Sequence, residues 1–477
     1  MTQALHELTI AEAGRLFRSR KLSPVELTQA CLDRIEAIDG ALNSFITITP
    51  ERALAEAREA EDLFAEGIDH GPMQGIPYGL KDIYDTAGVL TSAHSKLLAE
   101  NVPARDCTVQ ARLRAGGGVL LGKQSTWEFA MGGPSYDLPW PPARNPWDLS
   151  RSPMGSSSGA GASIAAGLCP AATGSDTGGS IRMPAAACGI AGLKPTYGLV
   201  SRHGLQPNSY SFDHCGPMAW TVEDCALMLQ AMAGHDPRDP GSLDLPAVDY
   251  AGALAGTVSG LRIGVVRHWY EDELDAAPSV VAAMDDSIAL FERMGCTVTE
   301  VVLPSLREFT DAKMPLTAAE IFTLHEKDLR ERPRDFGRSL RFRILGGALL
   351  RAEDYVQAMR ARAQMTAMVL AVMRDVDVLL TAGSAQPAPP LLPDEPPTFF
   401  GAKTPSLTSQ FNMTGQPALA LCNGFDAAGL PLGMQLAGRP GEDALVLRLG
   451  HAFERETTDF RRRRPSLDQL AQAVAAQ

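Results

Sequence analysis

A basic excess, metal-ligand spacing and long apolar stretches are all missing from this sequence, and each absence removes a class of function. Across 477 residues, 43 Lys and Arg stand against 56 Asp and Glu, a formal charge of −13. A nucleic-acid carrier shows the opposite balance, with basic stripes, so no nucleic-acid partner is expected. No uninterrupted apolar run reaches the roughly 18 residues of a membrane helix. The best candidate, Thr366 to Leu380, is cut by Arg374, Asp375 and Asp377, so no membrane partner is expected either. Met1 to Leu16 is polar and mixed in charge, without the basic start and apolar stretch of a secretory signal. Eight cysteines (Cys31, Cys107, Cys169, Cys188, Cys215, Cys225, Cys296, Cys422) show no CxxC spacing. They read as reduced thiols of a cytoplasmic protein, not as a disulfide framework or zinc site. No HExxH occurs, and no pair of His or acidic residues has ligand spacing. Neither a metal nor any other cofactor is expected.

What is present in excess is glycine: 44 residues, above the typical share of about 7%. The first seventy residues read as helical. Ser23-Pro24-Val25-Glu26 is a capping box with Pro at the first helical position, followed by Leu27, Cys31, Leu32, Ile35 and Ile38 at helical spacing. Pro50-Glu51-Arg52 opens a second helix. From Gly75 the texture changes to short apolar runs bounded by Gly and Pro, Ile76 to Ile83 and Gly118 to Leu121, with helical segments between them. Leu261 to Val266 and Cys296 to Leu303 repeat the rhythm around a helix from Pro278 to Met294. This alternation predicts an α/β sheet. Residues 306 to 376 are helical and Arg-rich, and Gln386 to Pro397, with six prolines, reads as a loop. Length alone suggests about three domains, yet no repeat or flexible linker marks a boundary.

Two motifs mislead. Gly117 to Lys123 nearly spells the phosphate loop GxxxxGK, but Gln124 stands where Ser or Thr must reach Mg²⁺, and the expected strand lies inside the motif. Gly155 to Gly159 satisfies GxSxG, yet the preceding Arg144 to Pro153 is too polar and Pro-broken for a central strand. The late His451 sits in an amphipathic helical pattern, where a structural His is the commoner explanation. The basic run Arg461 to Arg464 reads as solvated or locally paired surface.

The chemistry concentrates between Gly155 and Gly204, which hold 11 of the glycines. Ile164, Leu168, Ile181, Met183, Ile190 and Leu193 thread the stretch, so it buries instead of forming a linker. Within it lie Pro153-Met154-Gly155-Ser156-Ser157-Ser158-Gly159 and Gly174-Ser175-Asp176-Thr177-Gly178-Gly179-Ser180-Ile181-Arg182. A Ser after two glycines offers a nucleophile whose neighbouring N–H groups can converge on one point, as an oxyanion hole requires. The nucleophile needs a base, and no His lies near. Lys81, ending the apolar run Ile76 to Leu80, is a candidate. On a strand its neighbour Asp82 faces the other way, and a desolvated Lys becomes a neutral base.

GIPYGLKDIYDTAG (75–88), RNPWDLSRSPMGSSSGAGASIAAG (144–167), TGSDTGGSIRMPAAACGIAGLKPTYGLVSRHG (173–204), FDHCGPMAWTVEDCALMLQAMAGHD (212–236) and NMTGQPALAL…LPLGMQLAGRP (412–440) together resemble the amidase signature family. The resemblance implies one large α/β domain with a central mixed, twisted sheet covered by helices on both faces. It implies an N-terminal helical segment (1–70), an amidase domain (71–470) and a variable pocket region at 306–376. Lys81 aligns with the catalytic lysine, Ser156 with the bridging serine after a cis peptide, and Ser180 with the nucleophile. Thr177, Gly178 and Gly179 correspond to the oxyanion hole, and Met131 and Gly132 to a stretch near the reaction centre. Asp176 and Arg182 are expected to hold the loop. Three departures are visible: Met154 and Ser158 stand where the family carries Gly, and Ser175 where it carries Thr.

The implied reaction is hydrolysis of a small or medium amide, peptide amide or carbamate, the alternative being the glutaminase component of a tRNA-dependent amidotransferase. Those glutaminases carry an acidic residue shortly before NxxG, and Thr404 to Phe411 has none, which favours the free small-molecule substrate. Met314, Phe322, Phe342 and Leu345 suggest an apolar pocket. A silent, non-enzymatic relative would be expected to lose Lys81 or a serine, and all three are present. Family members are often homodimers, which leaves that state as an expectation.

Overall fold

In the computed structural model, residues 4–393 and 405–466 are described; the expected boundary at 470, Thr404, and positions 394 to 397 of the Pro-rich loop lie outside them. The strands are β1 (Phe45–Ile48), β2 (Pro77–Lys81), β3 (Val119–Gln124), β4 (Ala171–Asp176), β5 (Ala191–Lys194) and β6 (His214–Ala219). They continue with β7 (Arg262–Val265), β8 (Thr297–Glu300), β9 (Val378–Ala382), β10 (Ala418–Phe425) and β11 (Pro431–Ala437). Among the described residues these form one eleven-stranded sheet in the order β1-β3-β2-β4-β6-β5-β10-β11-β9-β7-β8. It is mixed: β2 runs parallel to β3 and β4, and β7 to β8 and β9, whereas β4, β6, β5, β10, β11 and β9 pair antiparallel in turn. Strands buried on both faces read as continuous apolar or small-residue runs, which is why Gly, Ala and Leu dominate β2 to β5.

The helical signals resolve as the chemistry of their ends dictates. Ser23 and Glu26 form the reciprocal capping box of Pro24–Leu42, and Thr9 and Glu12 form another at Ile10–Arg18. Helix Pro278–Arg293 separates the parallel strands β7 and β8, as a crossover between parallel neighbours must. The expectation of helix alone before residue 70 omits β1. Phe45-Ile46-Thr47-Ile48 is rich in β-branched residues and pairs antiparallel with β3 at the sheet edge.

Helix Ser158–Ala165 is buried along its whole length, without a polar face. Its glycines permit that: a Cβ on Gly159 would strike the Ser44 carbonyl and Ser125 backbone, and one on Gly161 would press on Pro184 and Cys188. Small residues thereby set this helix directly against helix Arg182–Cys188. The three parallel strands β2, β3 and β4 end on one side, Lys81 opposite Gln124 in register, and their C-terminal loops converge there. In open α/β sheets that edge is where ligands bind.

Candidate active site

Both decoys lose their function in the fold. Val119–Gln124 is strand β3, and Lys123 Nζ inside it donates to the Tyr84 carbonyl (2.5 Å) and Thr91 Oγ1 (2.7 Å), far from any phosphate role. Ser157, the elbow position of GxSxG, is fully buried. In the basic run, Arg463 stacks on Phe425 and Arg464 on Trp220, so these two residues are locally paired.

Lys81 ends β2 with none of its surface exposed. Its Nζ lies 2.7 Å from Ser156 Oγ, 2.8 Å from Ser175 Oγ and 3.0 Å from Ser157 Oγ. Its backbone N–H donates to Thr173 Oγ1 at 3.1 Å. Asp82 points away, accepting from Ser92 N–H and Oγ and lying 3.7 Å from Lys123 Nζ. Among the described residues no carboxylate is hydrogen-bonded to the Lys81 amine. Burial pushes Lys81 down to about 7, against the opposing pull of the more distant Asp176 and Asp213. The result is an amine that is half neutral near neutral pH and hydrogen-bonded to a serine.

Ser156 follows a cis peptide from Gly155, and its carbonyl accepts from the Trp127 N–H at 3.1 Å. Met154 two residues earlier adopts φ +60°, the left-handed conformation that glycine takes most easily; the residue that replaces the family's Gly keeps the Gly-like backbone. The Ser156 and Ser180 loops are tied by Ser157 N–H donating to the Ser180 carbonyl (3.2 Å). Ser180 lines a cavity of about 120 Å³. Among the described residues no hydrogen bond joins Ser180 Oγ to Ser156 Oγ in this ligand-free geometry, and such contacts commonly close only when substrate binds.

The loop from Asp176 to Arg182 is shaped from below by an ion pair with no exposed side-chain surface. Arg182 meets Asp176 through two contacts of 3.0 Å and also donates to the Thr408 carbonyl, Asn412 Oδ1 and Gln435 Oε1. Burial raises the Asp176 carboxyl, but the Arg182 guanidinium, with Lys194 and Asn412, outweighs it and holds Asp176 well below the usual carboxylate range. Asp176 in turn accepts from Gly179 N–H (2.7 Å) and Ile181 N–H (3.2 Å). The Gly179 amide is therefore engaged within the loop. The amides of Thr177, Gly178 and Ser180 donate to no protein acceptor among the described residues. On the carbonyl side, Lys313 Nζ donates to Thr177 O (2.6 Å) and Thr408 Oγ1 to Gly178 O (2.7 Å).

Met131 and Gly132 line the same cavity, as do Thr177, Gly178 and Ser180. Of the four residues expected to make an apolar pocket, Met314 lines it; Phe322 packs against the core, Phe342 is half-buried beneath Arg341, and Leu345 is exposed. The cavity also contains two cations that no sequence motif announces, Lys313 and Arg343. Lys313 does carry a signal: it sits four residues after Phe309 and three before Leu316, on the buried face of helix Leu306–Glu331. Ser175 and Thr173 join the site unannounced as well, although their alternation on β4 puts both on one face. Among the described residues no group of His, Cys, Asp and Glu is placed to hold a metal ion, and no helix is long and apolar enough to cross a membrane.

A lysine sealed among serines at the end of a mixed α/β sheet, beside a Gly-Gly-Ser loop, defines a serine-type hydrolase acting on amide bonds. The sequence profile of the Amidase family matches residues 26–447, and the chain belongs to that family. It is 41% identical to the A subunit of the Glutamyl-tRNA(Gln) amidotransferase of Chloroflexus aggregans, over 97% of this chain and 99% of that one. Among solved structures it resembles a chain of the vestigial complex that reveals the evolutionary origins of an s-triazine catabolic enzyme, with TM-score 0.87, 35% identity and coverage of 94% and 99%. The A subunit of the Glutamyl-tRNA(Gln) amidotransferase of Thermotoga maritima is similar too, with TM-score 0.78, 30% identity and coverage of 95% and 96%.

These relatives correct one expectation. The acidic balance argues against nucleic acid and leaves a small-molecule amide or carbamate, with a second copy of the chain, as the expected partners. Relatives that span nearly the whole chain and are named for amidotransferases of Glutamyl-tRNA(Gln) overturn that exclusion. Net charge describes the field of one chain; it says nothing of an assembly in which other chains meet the nucleic acid.

Proposed function

We propose that this protein hydrolyses a terminal carboxamide through a Ser180 acyl-enzyme and releases ammonia, as the A-type component of an amidotransferase that works with tRNA. The 2.7 Å contact between Lys81 Nζ and Ser156 Oγ carries the chemistry. End-to-end relatedness to the amidotransferase chains supports the assembly. Neutral Lys81 takes the proton of Ser156, Ser156 takes that of Ser180, and Ser180 Oγ attacks the carbonyl carbon. Oxyanion charge falls to the amides of Thr177, Gly178 and Ser180. The relay then returns a proton to the departing nitrogen, ammonia leaves, and water repeats the sequence on the ester to release the acid.

The test is ammonia release from glutamine by the purified chain, with Ser180→Ala as the blank, and then glutamine-dependent amidation of a mischarged tRNA with candidate partner subunits. Release abolished in the variant, and amidation that needs this chain, are expected. Hydrolysis of anilides or peptide amides with no release from glutamine would overturn the amidotransferase reading.

A further inference from the structure

Two pairs of non-glycine residues in left-handed backbone meet beside the cavity that Ser180 lines. Ala93 and His94 have φ +49° and +57°, and Phe129 and Ala130 have φ +45° and +59°. Residues with a Cβ disfavour that conformation and keep it only where their surroundings impose it. The Phe129 N–H joins the pairs by donating to the Ala93 carbonyl at 3.0 Å. The side chain that binds them is Glu128, buried at 1% exposure. One carboxylate oxygen accepts from Ser95 Oγ at 2.6 Å, and the other from the Gly337 N–H at 2.9 Å. Gly337 immediately precedes helix Arg338–Ile344, so one carboxylate ties three separate segments together.

The loop after Glu128 gives Ala130, Met131 and Gly132 to the cavity wall, and the helix gives Arg343. A wider cleft of about 560 Å³ shares Trp127, Gly132 and Arg343 with that cavity. Loop and helix therefore form the seam between the two spaces. They approach closely: a Cβ on Gly132 would lie 3.1 Å from the Leu340 backbone, and one on Gly337 would lie 3.0 Å from the Glu128 carboxylate. Ser339 Oγ donates to the Gly132 carbonyl at 2.5 Å, and the Arg338 N–H to Asp137 at 3.0 Å.

We infer that Glu128 is a positioning residue for substrate: through Ser95 and Gly337 it fixes this seam, and so sets which acyl groups fit in front of Ser180. The inference rests on the amide-hydrolase reading and adds the residue that shapes its acyl site. The Glu128 carboxylate bonds to neither Lys81 nor the two active serines, so the chemistry itself should survive its loss. The tie is also sensitive to protons. Burial, reinforced by Asp137, pushes Glu128 up to about 7 against the pull of Ser95, Gly337 and Lys96. A carboxylate accepts both hydrogen bonds more strongly than the neutral acid. The helix brings Arg338, Arg341 and Arg343 to this side. The two histidines at the seam titrate elsewhere: burial pushes His94 down to about 4, and likewise His325, whose ring lies 4.3 Å from that of Phe129.

The experiment labels Ser180 with two fluorophosphonates, one with a methyl and one with a hexyl chain on phosphorus, and compares their second-order rates. Both reactions need Lys81 and Ser156 equally, so the hexyl-to-methyl ratio cancels the chemistry and reports the fit of the chain. In Glu128→Ala the ratio falls about tenfold while the methyl rate stays within about twofold of wild type. Ser339→Ala, at a half-buried position, cuts the second tie and lowers the ratio about threefold. In Glu128→Gln the amide oxygen accepts from Gly337 and the nitrogen donates to Ser95 Oγ, which restores the ratio to within about threefold of wild type. The wild-type ratio falls as pH drops through about 7, and in Glu128→Gln it is flat. Where Glu128→Ala does not fold, Ser339→Ala and the pH profile of Glu128→Gln decide in its place. Rates that fall together at a constant ratio, with no step in pH, mean that Glu128 only supports the fold, and overturn the inference. Neither probe involves glutamine, so that outcome leaves the hydrolase reading intact. Absence of labelling at Ser180 by either probe overturns both.

Discussion

The two serine loops between 144 and 204 and the helices between 306 and 372 face each other across one cavity, and they are built on opposite rules. The serine loops are almost wholly buried, made of Gly, Ala and Ser, and pinned by backbone hydrogen bonds and one sealed ion pair. The helices carry exposed apolar side chains such as Leu349, Val356 and Met368, surface ion pairs, and two cations turned inward. The first region can do its chemistry only in one geometry. The second needs to present only a few side chains, so its remaining surface is free to vary. The loops therefore carry the serines and Lys81's partners, while the helices supply the facing wall of the cavity.

The largest break in that contrast is expected at the nucleophile. Ser180→Ala should lower kcat by several orders of magnitude, as members of a catalytic unit do, while the thermal transition stays within about 1 °C of wild type, a shift of about 1 kcal/mol or less. Lys81→Met should cost nearly as much, because the two act together. Next comes Gly179→Ala: at φ +123°, with its Cβ driven into the Thr408 side chain, the loop must shift, for a loss of about a hundredfold to a thousandfold. Stability of the fold, read by calorimetry, should change far less than the rate.

Asp176→Asn sharpens the comparison from the side of stability. Removing one partner of a buried pair destabilises by about 3–5 kcal/mol, because Arg182 keeps its charge. The sign with pH follows from the depressed carboxyl. Its contribution is present above the unfolded value near 4 and is lost as pH falls toward the lower folded value. Urea titrations below pH 4 should therefore converge for wild type and variant, and those at pH 7 should differ most. On the helices, Leu349→Ser, at 77% exposure, should move stability by less than about 0.5 kcal/mol and leave kcat/KM unchanged.

The same contrast explains what could be read from the residues. Glycine spacing, the capping box of Ser23, the apolar run before Lys81 and the paired serine motifs are local patterns that survive in one dimension, so the sheet rhythm was legible, and the family resemblance of those motifs singled out Lys81, Ser156 and Ser180 as candidates. β1 was not, since four residues between two capped helices carry too little alternation to outweigh them. Neither was the engagement of the Gly179 amide, which depends on where Asp176 turns its carboxylate, nor the cationic cavity, because Lys313 and Arg343 come from separate helices. Charge balance misled outright: it describes a chain, and the relatives are named as subunits of an assembly.

The central claim is that a buried, neutral Lys81 drives Ser180 through Ser156. Its most direct test is the pH dependence of fluorophosphonate labelling, followed by mass spectrometry of the labelled residue. Lys81 is pushed down to about 7, and the base works when deprotonated. The labelling rate should fall about tenfold per pH unit below 7 and level off above it, with the adduct on Ser180 and the profile abolished in Lys81→Met. A label that lands on another residue, or a rate that stays flat from about pH 5 to 9 across the titration of Lys81, would contradict the account.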